Sequence, residues 1–220
     1  VRQWLVDAQA APAVRGWFHE TRPTLHLNHV FYQVSDHMIL SDIHASVPYG
    51  AHVALIGPSG SGKTTLLSLM LGLYPPQKGT VYLGAHETCQ LSFSERQRLI
   101  GLASQEPALL TRTLREHLTY GALACSDEVL FSLIHDVALD AWVDTLPQKL
   151  ETTLGPHTRN LSLGQKQRVM MGLLFAQHPS ILLFDEATSG LDAATEAHVF
   201  SALKKRFSAH TWVMATHKLS

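Results

Sequence analysis

No stretch of this chain is long and apolar enough to cross a bilayer. A span needs about 18–20 apolar residues, whereas the longest run, Val169 to Ala176, is short and includes Gly172. Neither charge is in excess: 17 basic residues stand against 18 acidic ones, which leaves no basic footprint for nucleic acid and no polybasic membrane anchor. Cysteine is scarce. Cys89 and Cys125 fit no metal or redox spacing, which favours reduced, structural thiols in a cytosolic setting. There is no secretory leader pattern, no internal repeat and no low-complexity tract, and the first residue is valine. A piece of a longer protein is therefore expected. The 14 histidines are numerous but scattered without ligand spacing, so surface and core histidines are the expectation for most.

What is present is a chain of 220 residues, enough for one large domain or a core carrying an inserted subdomain. It is organised around Gly57-Pro58-Ser59-Gly60-Ser61-Gly62-Lys63-Thr64, followed by Thr65 and Leu66. The pattern G-x-x-x-x-G-K-[ST] is met at every fixed position. Val53–Ile56 reads as a buried strand before it and Thr64–Leu73 as a helix after it. Gly57, Gly60 and Gly62 free the backbone so that N–H groups of Ser59, Gly60, Ser61 and their neighbours can face a polyphosphate at a helix N-terminus. Lys63 would reach the β and γ phosphates, and the Thr64 hydroxyl would ligate Mg²⁺.

Along the chain, residues 1–24 read as a short helix and a linker, with Trp4, Trp17 and Phe18 among alanines and prolines. Alternation over Leu25, Leu27, Val30, Tyr32 and Val34, a turn at Ser35-Asp36 and a run from Met38 to Val47 predict strands. A break is expected at Pro75-Pro76 and Lys78-Gly79, then strands at Thr80–Leu83 and Leu99–Ala103. Residues 106–160 look mainly helical, with Ser126 as a cap. A helix from Leu163 to Gln177 capped by Ser162, a buried strand Ile181–Phe184, a helix Ala193–Phe207 and a last strand Trp212–Ala215 follow. Strand and helix alternating around a phosphate loop argue for a mainly parallel sheet covered on both faces.

Ile181-Leu182-Leu183-Phe184 delivers Asp185 and Glu186 to the C-terminal end of its strand, the edge where open α/β sheets bind ligands. Asp185 would hold Mg²⁺, and Glu186 would orient and deprotonate an attacking water.

With Leu161-Ser162-Leu163-Gly164-Gln165-Lys166-Gln167-Arg168 lying between these motifs, the chain from Leu25 onward resembles the nucleotide-binding domain of ATP-binding cassette (ABC) transporters. That family's signature reads Leu-Ser-Gly-Gly-Gln and precedes a Gln-Arg pair. The resemblance implies an α/β fold: a RecA-like P-loop NTPase core, an N-terminal antiparallel β subdomain, and an inserted α-helical subdomain at about residues 106–165. It places Gln105 as the glutamine that senses Mg²⁺ and the attacking water, Ser189-Gly190-Leu191-Asp192 as the loop at the dimer interface, and His217 as the γ-phosphate switch. Ser162, Gly164, Gln165 and Asp192 are implied to meet ATP held by a second nucleotide-binding domain, in a head-to-tail homo- or heterodimer.

The form of Gln105 to Gly121 resembles exporters, which implies a transmembrane domain fused N-terminally, a cytoplasmic-face location at the inner membrane, and a chain truncated after His217. Three departures stand out. Leu163 replaces the first signature glycine, and Pro156 and Thr158 replace an acidic residue and a glycine common before the signature. The aromatic that stacks on adenine registers on Val34, so Tyr32, placed two residues earlier on the same strand face, is taken as its substitute. Leu163 and the adenine position leave open the alternative of a degenerate, slowly hydrolysing half of a heterodimer.

Overall fold

The structure, a computed structural model, describes residues 22–120, 125–155 and 161–216. Alternation of apolar and polar side chains builds an antiparallel layer first. Strands β1 (Leu25–Val34) and β2 (His37–Val47) pair directly across the expected turn, and β4 (Lys78–Leu83) and β5 (His86–Glu87) extend the sheet in the order β2-β1-β4-β5. Leu25, Leu27, Val30, Val81 and Leu83 face inward and are buried. The expected break at Lys78-Gly79 lies inside β4. There β1 bulges, with His29 at φ 49°, and Gly79 at φ 80° lies so close to the His29 carbonyl that no Cβ fits. Glycine here admits a bulge and does not end the strand.

The second sheet is wholly parallel, in the order β3 (His52–Ile56), β10 (Thr211–Thr216), β9 (Ile181–Asp185), β6 (Ile100–Ala103). The sheet is covered on both faces at β9, whereas edge strand β3, expected to be buried, leaves His52, Ala54 and Ile56 exposed on one face. Ile181 and Leu183 enter a cluster with Leu67, Met70 and the antiparallel layer, while Leu182 and Phe184 enter one with Phe175, Val199 and Phe207. Burying each such side chain stabilises by roughly 1.5–3 kcal/mol, so a charge at Leu182 or Leu183 would break the strand.

Helix α1 (Lys63–Met70) follows the phosphate loop and ends before Gly72 at φ 72°, short of the expected Leu73. Helix α2 (Phe93–Leu99), absent from the sequence reading, is only two turns long, yet Ser92 and Glu95 form a complete capping box, the signal that announces it. Between β6 and β9 stand the two-residue strands β7 (Arg112–Thr113) and β8 (Thr153–Leu154), which pair antiparallel, and helices α3 (Leu114–Thr119), α4 (Asp127–Asp136) and α5 (Asp140–Asp144). Helix α6 (Leu163–Gln177) packs on α3 and ends at His178 in the left-handed region, and α7 (Ala193–Phe207) precedes β10. This is a RecA-like α/β core with an antiparallel layer on one side. The sequence expectations for residues 1–21, Pro156, Thr158 and His217 lie outside the described residues.

Candidate functional site

The C-terminal edge of the parallel sheet gathers the phosphate loop from β3, Gln105 from the end of β6, and Asp185-Glu186 from the end of β9. Gly60 and Gly62 sit at φ 80° and 90°, which bends the loop tightly around its own amides. Lys63 is folded over this loop. Its Nζ donates to the carbonyls of Gly57 (2.8 Å) and Pro58 (3.0 Å) and stands 3.9 Å from Glu186 Oε1. With the side chain only 9 % exposed, the ammonium is held where it can exchange carbonyl partners for phosphate oxygens. Ser59, Gly60, Ser61 and Thr64 are exposed, whereas Gly57, Gly62 and Thr65 are half-buried.

Glu186 occupies a left-handed backbone position at φ 47°, with its N–H donated to the Ala215 carbonyl. Such backbone strain in a glutamate persists only where the surroundings enforce it. Its Oε2 accepts from Gln105 Nε2 at 3.1 Å, so Lys63 and Gln105 flank one carboxylate. Asp185, just before it, is buried at 6 % exposure. The Thr64 hydroxyl, the Asp185 carboxylate and the Gln105 amide oxygen are hard oxygen donors, the chemistry that Mg²⁺ takes.

A second corner forms at the start of α6. Ser162 Oγ accepts from the Gln165 N–H (3.1 Å) while Gln165 Oε1 accepts from the Ser162 N–H (3.0 Å), a reciprocal cap. The serine hydroxyl hydrogen remains able to donate outward. Leu163 is 40 % exposed beside it. Gly164, by contrast, is buried: a Cβ there would stand 2.5 Å from the Gly190 carbonyl oxygen, so the glycine allows the 189–192 turn to lie on the helix. Asp192 caps α7 by accepting from the Thr195 N–H (2.9 Å) and hydroxyl (2.7 Å), and these bonds hold its carboxyl below the usual aspartate range. The structure therefore joins Lys63, Gln105 and Glu186 by direct contact, while Ser162 and Gln165 bond to each other.

Tyr32, expected to stack on adenine, has a neighbour of its own. It is half-buried, packs on the core beside Tyr74 at 5.1 Å between centroids, and burial with that neighbour pushes its phenol up. The cause is register. β1 shifts on both sides of Tyr32, which turns the ring to the core and leaves Val34 53 % exposed. A groove of about 770 Å³ between α7 and strands β3 and β10 reaches Glu186, but its walls include Ile56, Phe200, Trp212 and Met214, so it is not the phosphate cradle. Gln167, seen in the sequence only as part of a Gln-Arg pair, was given no role there; its signal is a polar residue on the same helical stripe as Gly164, Met171 and Leu174.

A glycine-rich loop on a helix N-terminus, with a lysine, a strand-end carboxylate pair and a parallel sheet, defines a P-loop nucleoside-triphosphatase. A family model described as ABC transporter matches residues 40–189. The chain belongs to that family, and it is an ATP-binding domain of the ABC ATPase class. It is 36% identical over 193 residues to the uncharacterised ABC transporter ATP-binding protein YwjA of Bacillus subtilis (strain 168), covering 87% of this chain and 34% of that protein. To the mitochondrial ATP-binding cassette sub-family B member 10 of Mus musculus it is 40% identical over 185 residues, covering 83% and 26%. A bacterial Atm1-family ABC exporter with ATP bound matches with a TM-score of 0.83 at 29% identity, over 90% of this chain and 35% of that one. The chain thus spans about a third or less of the length of these relatives.

Proposed function

We propose that this chain is the ATP-hydrolysing part of an ABC exporter, working as one half of a head-to-tail pair of nucleotide-binding domains. The observation that carries the reading is the convergence of Lys63, Gln105 and Glu186 at one sheet edge. ATP binds along the phosphate loop, and Lys63 trades its loop carbonyls for the β and γ phosphates. Thr64, Asp185 and Gln105 would hold Mg²⁺, which would supply charge to neutralise the phosphates. Gln105 fixes the Glu186 carboxylate, which takes a proton from the attacking water. His217, the residue that follows β10 in sequence, would meet the γ phosphate.

Ser162, Gly164, Gln165 and Asp192 belong in this reading to the surface that closes on the partner's nucleotide. The Ser162 hydroxyl and the helix dipole of α6 favour an anion there. The 105–113 loop passes closure to membrane helices of an N-terminally fused domain, at the cytoplasmic face of the membrane. Among the described residues no helix is long and apolar enough to cross a membrane itself. A second reading, a degenerate half that binds ATP and hydrolyses it slowly, is favoured by exposed Leu163 and by Tyr32 turned into the core.

The test is Mg-ATP hydrolysis by the chain against protein concentration, beside Lys63→Ala. Turnover rising faster than linearly and absent from the variant is expected of a self-pairing ATPase. Tight ATP binding with no turnover at any concentration would select the degenerate half.

A further inference from the structure

Gln167 lies on the inward stripe of α6 and is 1 % exposed. A carboxamide so placed needs partners for both of its ends, and it has them on two other segments. Oε1 accepts from the Gly190 N–H at 3.0 Å, while Nε2 donates to the Gln105 carbonyl at 2.8 Å and to Ser189 Oγ at 3.2 Å. The orientation of the amide is settled by its partners, because a backbone N–H only donates and a carbonyl only accepts.

These partners bracket Glu186. On one side Gln105, its main chain held by Gln167, donates its side chain to the Glu186 carboxylate at 3.1 Å. On the other, the turn that starts at Glu186 closes with the Ser189 N–H on the Glu186 carbonyl at 3.1 Å, and Ser189 is again held by Gln167. The next residue on the helix faces elsewhere. Arg168 donates to the Ala138 carbonyl, at the corner between α4 and α5, and to Gly164 at 3.2 Å. Consecutive side chains of α6 therefore tie the helix to the hydrolytic corner and to the helical layer.

We propose that Gln167 is a positioning residue for hydrolysis: through the Gln105 main chain and the Ser189-Gly190 turn it ties the placement of Glu186 to the position of α6. This rests on the ATPase reading. A shift of the Ser162 end of the helix, such as a closing partner would impose, is carried to the glutamate by hydrogen bonds whose geometry tolerates little stretch.

The experiment uses the full chain with Gln167→Met, which keeps the side chain's length and removes its hydrogen bonds. kcat is expected to fall about 10- to 100-fold, the scale of a reacting group displaced by about 1 Å. KM for ATP should change by less than about threefold, since ground-state binding is untouched. Added to Gln105→Ala, the same substitution should cost clearly less than it does alone, because one of its two routes to Glu186 runs through the Gln105 side chain. Hydrogen exchange should quicken together at residues 104–106 and 189–191 and stay unchanged at 57–66.

Equal kcat losses in both backgrounds, or exchange that quickens across the whole chain, would overturn the proposal and leave Gln167 as general support of the core. If the methionine variant does not fold, Gln167→Glu decides. It keeps the acceptor for the Gly190 N–H and can accept from the Ser189 hydroxyl in place of donating to it, but it has nothing to give the Gln105 carbonyl, so residues 104–106 should loosen and 189–191 should not; loosening of both segments or neither overturns the tie. A wild-type chain with no turnover above Lys63→Ala would sink the ATPase reading instead, and the exchange arms would still uphold or overturn the tie itself.

Discussion

The two corners that meet phosphate in the proposed cycle are built in opposite ways. The hydrolytic corner is assembled from far-apart segments. Lys63, Gln105 and Glu186 touch only because β3, β9 and β6 end at the same edge of one parallel sheet, with β10 between β3 and β9, and Glu186 accepts a strained backbone to get there. The corner at the start of α6 is almost entirely local, since Ser162 and Gln165 satisfy each other within one turn and Asp192 does the same with Thr195. The corner made from distant segments finds its contacts within one chain. One made from helix caps presents donors outward and waits for something to meet them.

That contrast is open to attack, with the largest effect at the hydrolytic corner. Glu186→Gln keeps the shape and the Gln105 contact but removes the base. Steady-state hydrolysis should drop by about 10²–10⁴-fold, the usual contribution of general base catalysis, while ATP binding, followed by a fluorescent nucleotide, stays intact. Unchanged hydrolysis would remove Glu186 from the role.

Ser162→Ala attacks the local corner. Loss of the cap should cost about 0.5–2 kcal/mol of stability in a denaturant titration. ATP binding to the isolated chain should hold while turnover at high protein concentration falls. A loss of nucleotide binding at low concentration would mean that the serine meets the chain's own ATP, and the contrast between the corners would collapse.

The smallest effect concerns the loop after Gln105. His117 donates through Nε2 to the Leu110 carbonyl at 2.9 Å, and burial pushes its imidazole below the ordinary histidine value. Because the folded state favours the neutral ring, this contribution is full above the unfolded value of about 6.5 and is lost as pH falls through the lowered folded one. The melting temperature of the wild type should therefore drop more between pH 7.5 and 5.5 than that of His117→Gln. Parallel curves would show that this anchor does not titrate.

Much of the hydrolytic corner was legible beforehand, because its residues sit in motifs whose chemistry is local: glycines where the loop must bend, Lys63-Thr64 on a helix start, carboxylates after a buried run. The helices Leu163–Gln177 and Ala193–Phe207 were readable for the same reason, since Ser162 and Asp192 cap them through bonds spanning three residues. Tyr32 shows where the strand pattern stops informing. Alternation along β1 assumes unbroken register, and the shifts on either side of Tyr32 come from pairing with β2, which no single strand encodes. Gln167 was passed over because its stripe position gives burial but not partners, and those come from segments 62 and 23 residues away.

The sequence by itself determined the phosphate loop, the caps, the fully apolar β9 and the order of the motifs, each an effect of neighbours within a few residues. Only the tertiary structure decided that Lys63 and Gln105 flank one carboxylate, that Gly164 lies beneath Gly190, and that Tyr32 faces the core. Those outcomes depend on how strands order and register in a sheet. That is set by the burial of side chains from the whole chain at once, so a local pattern does not specify it.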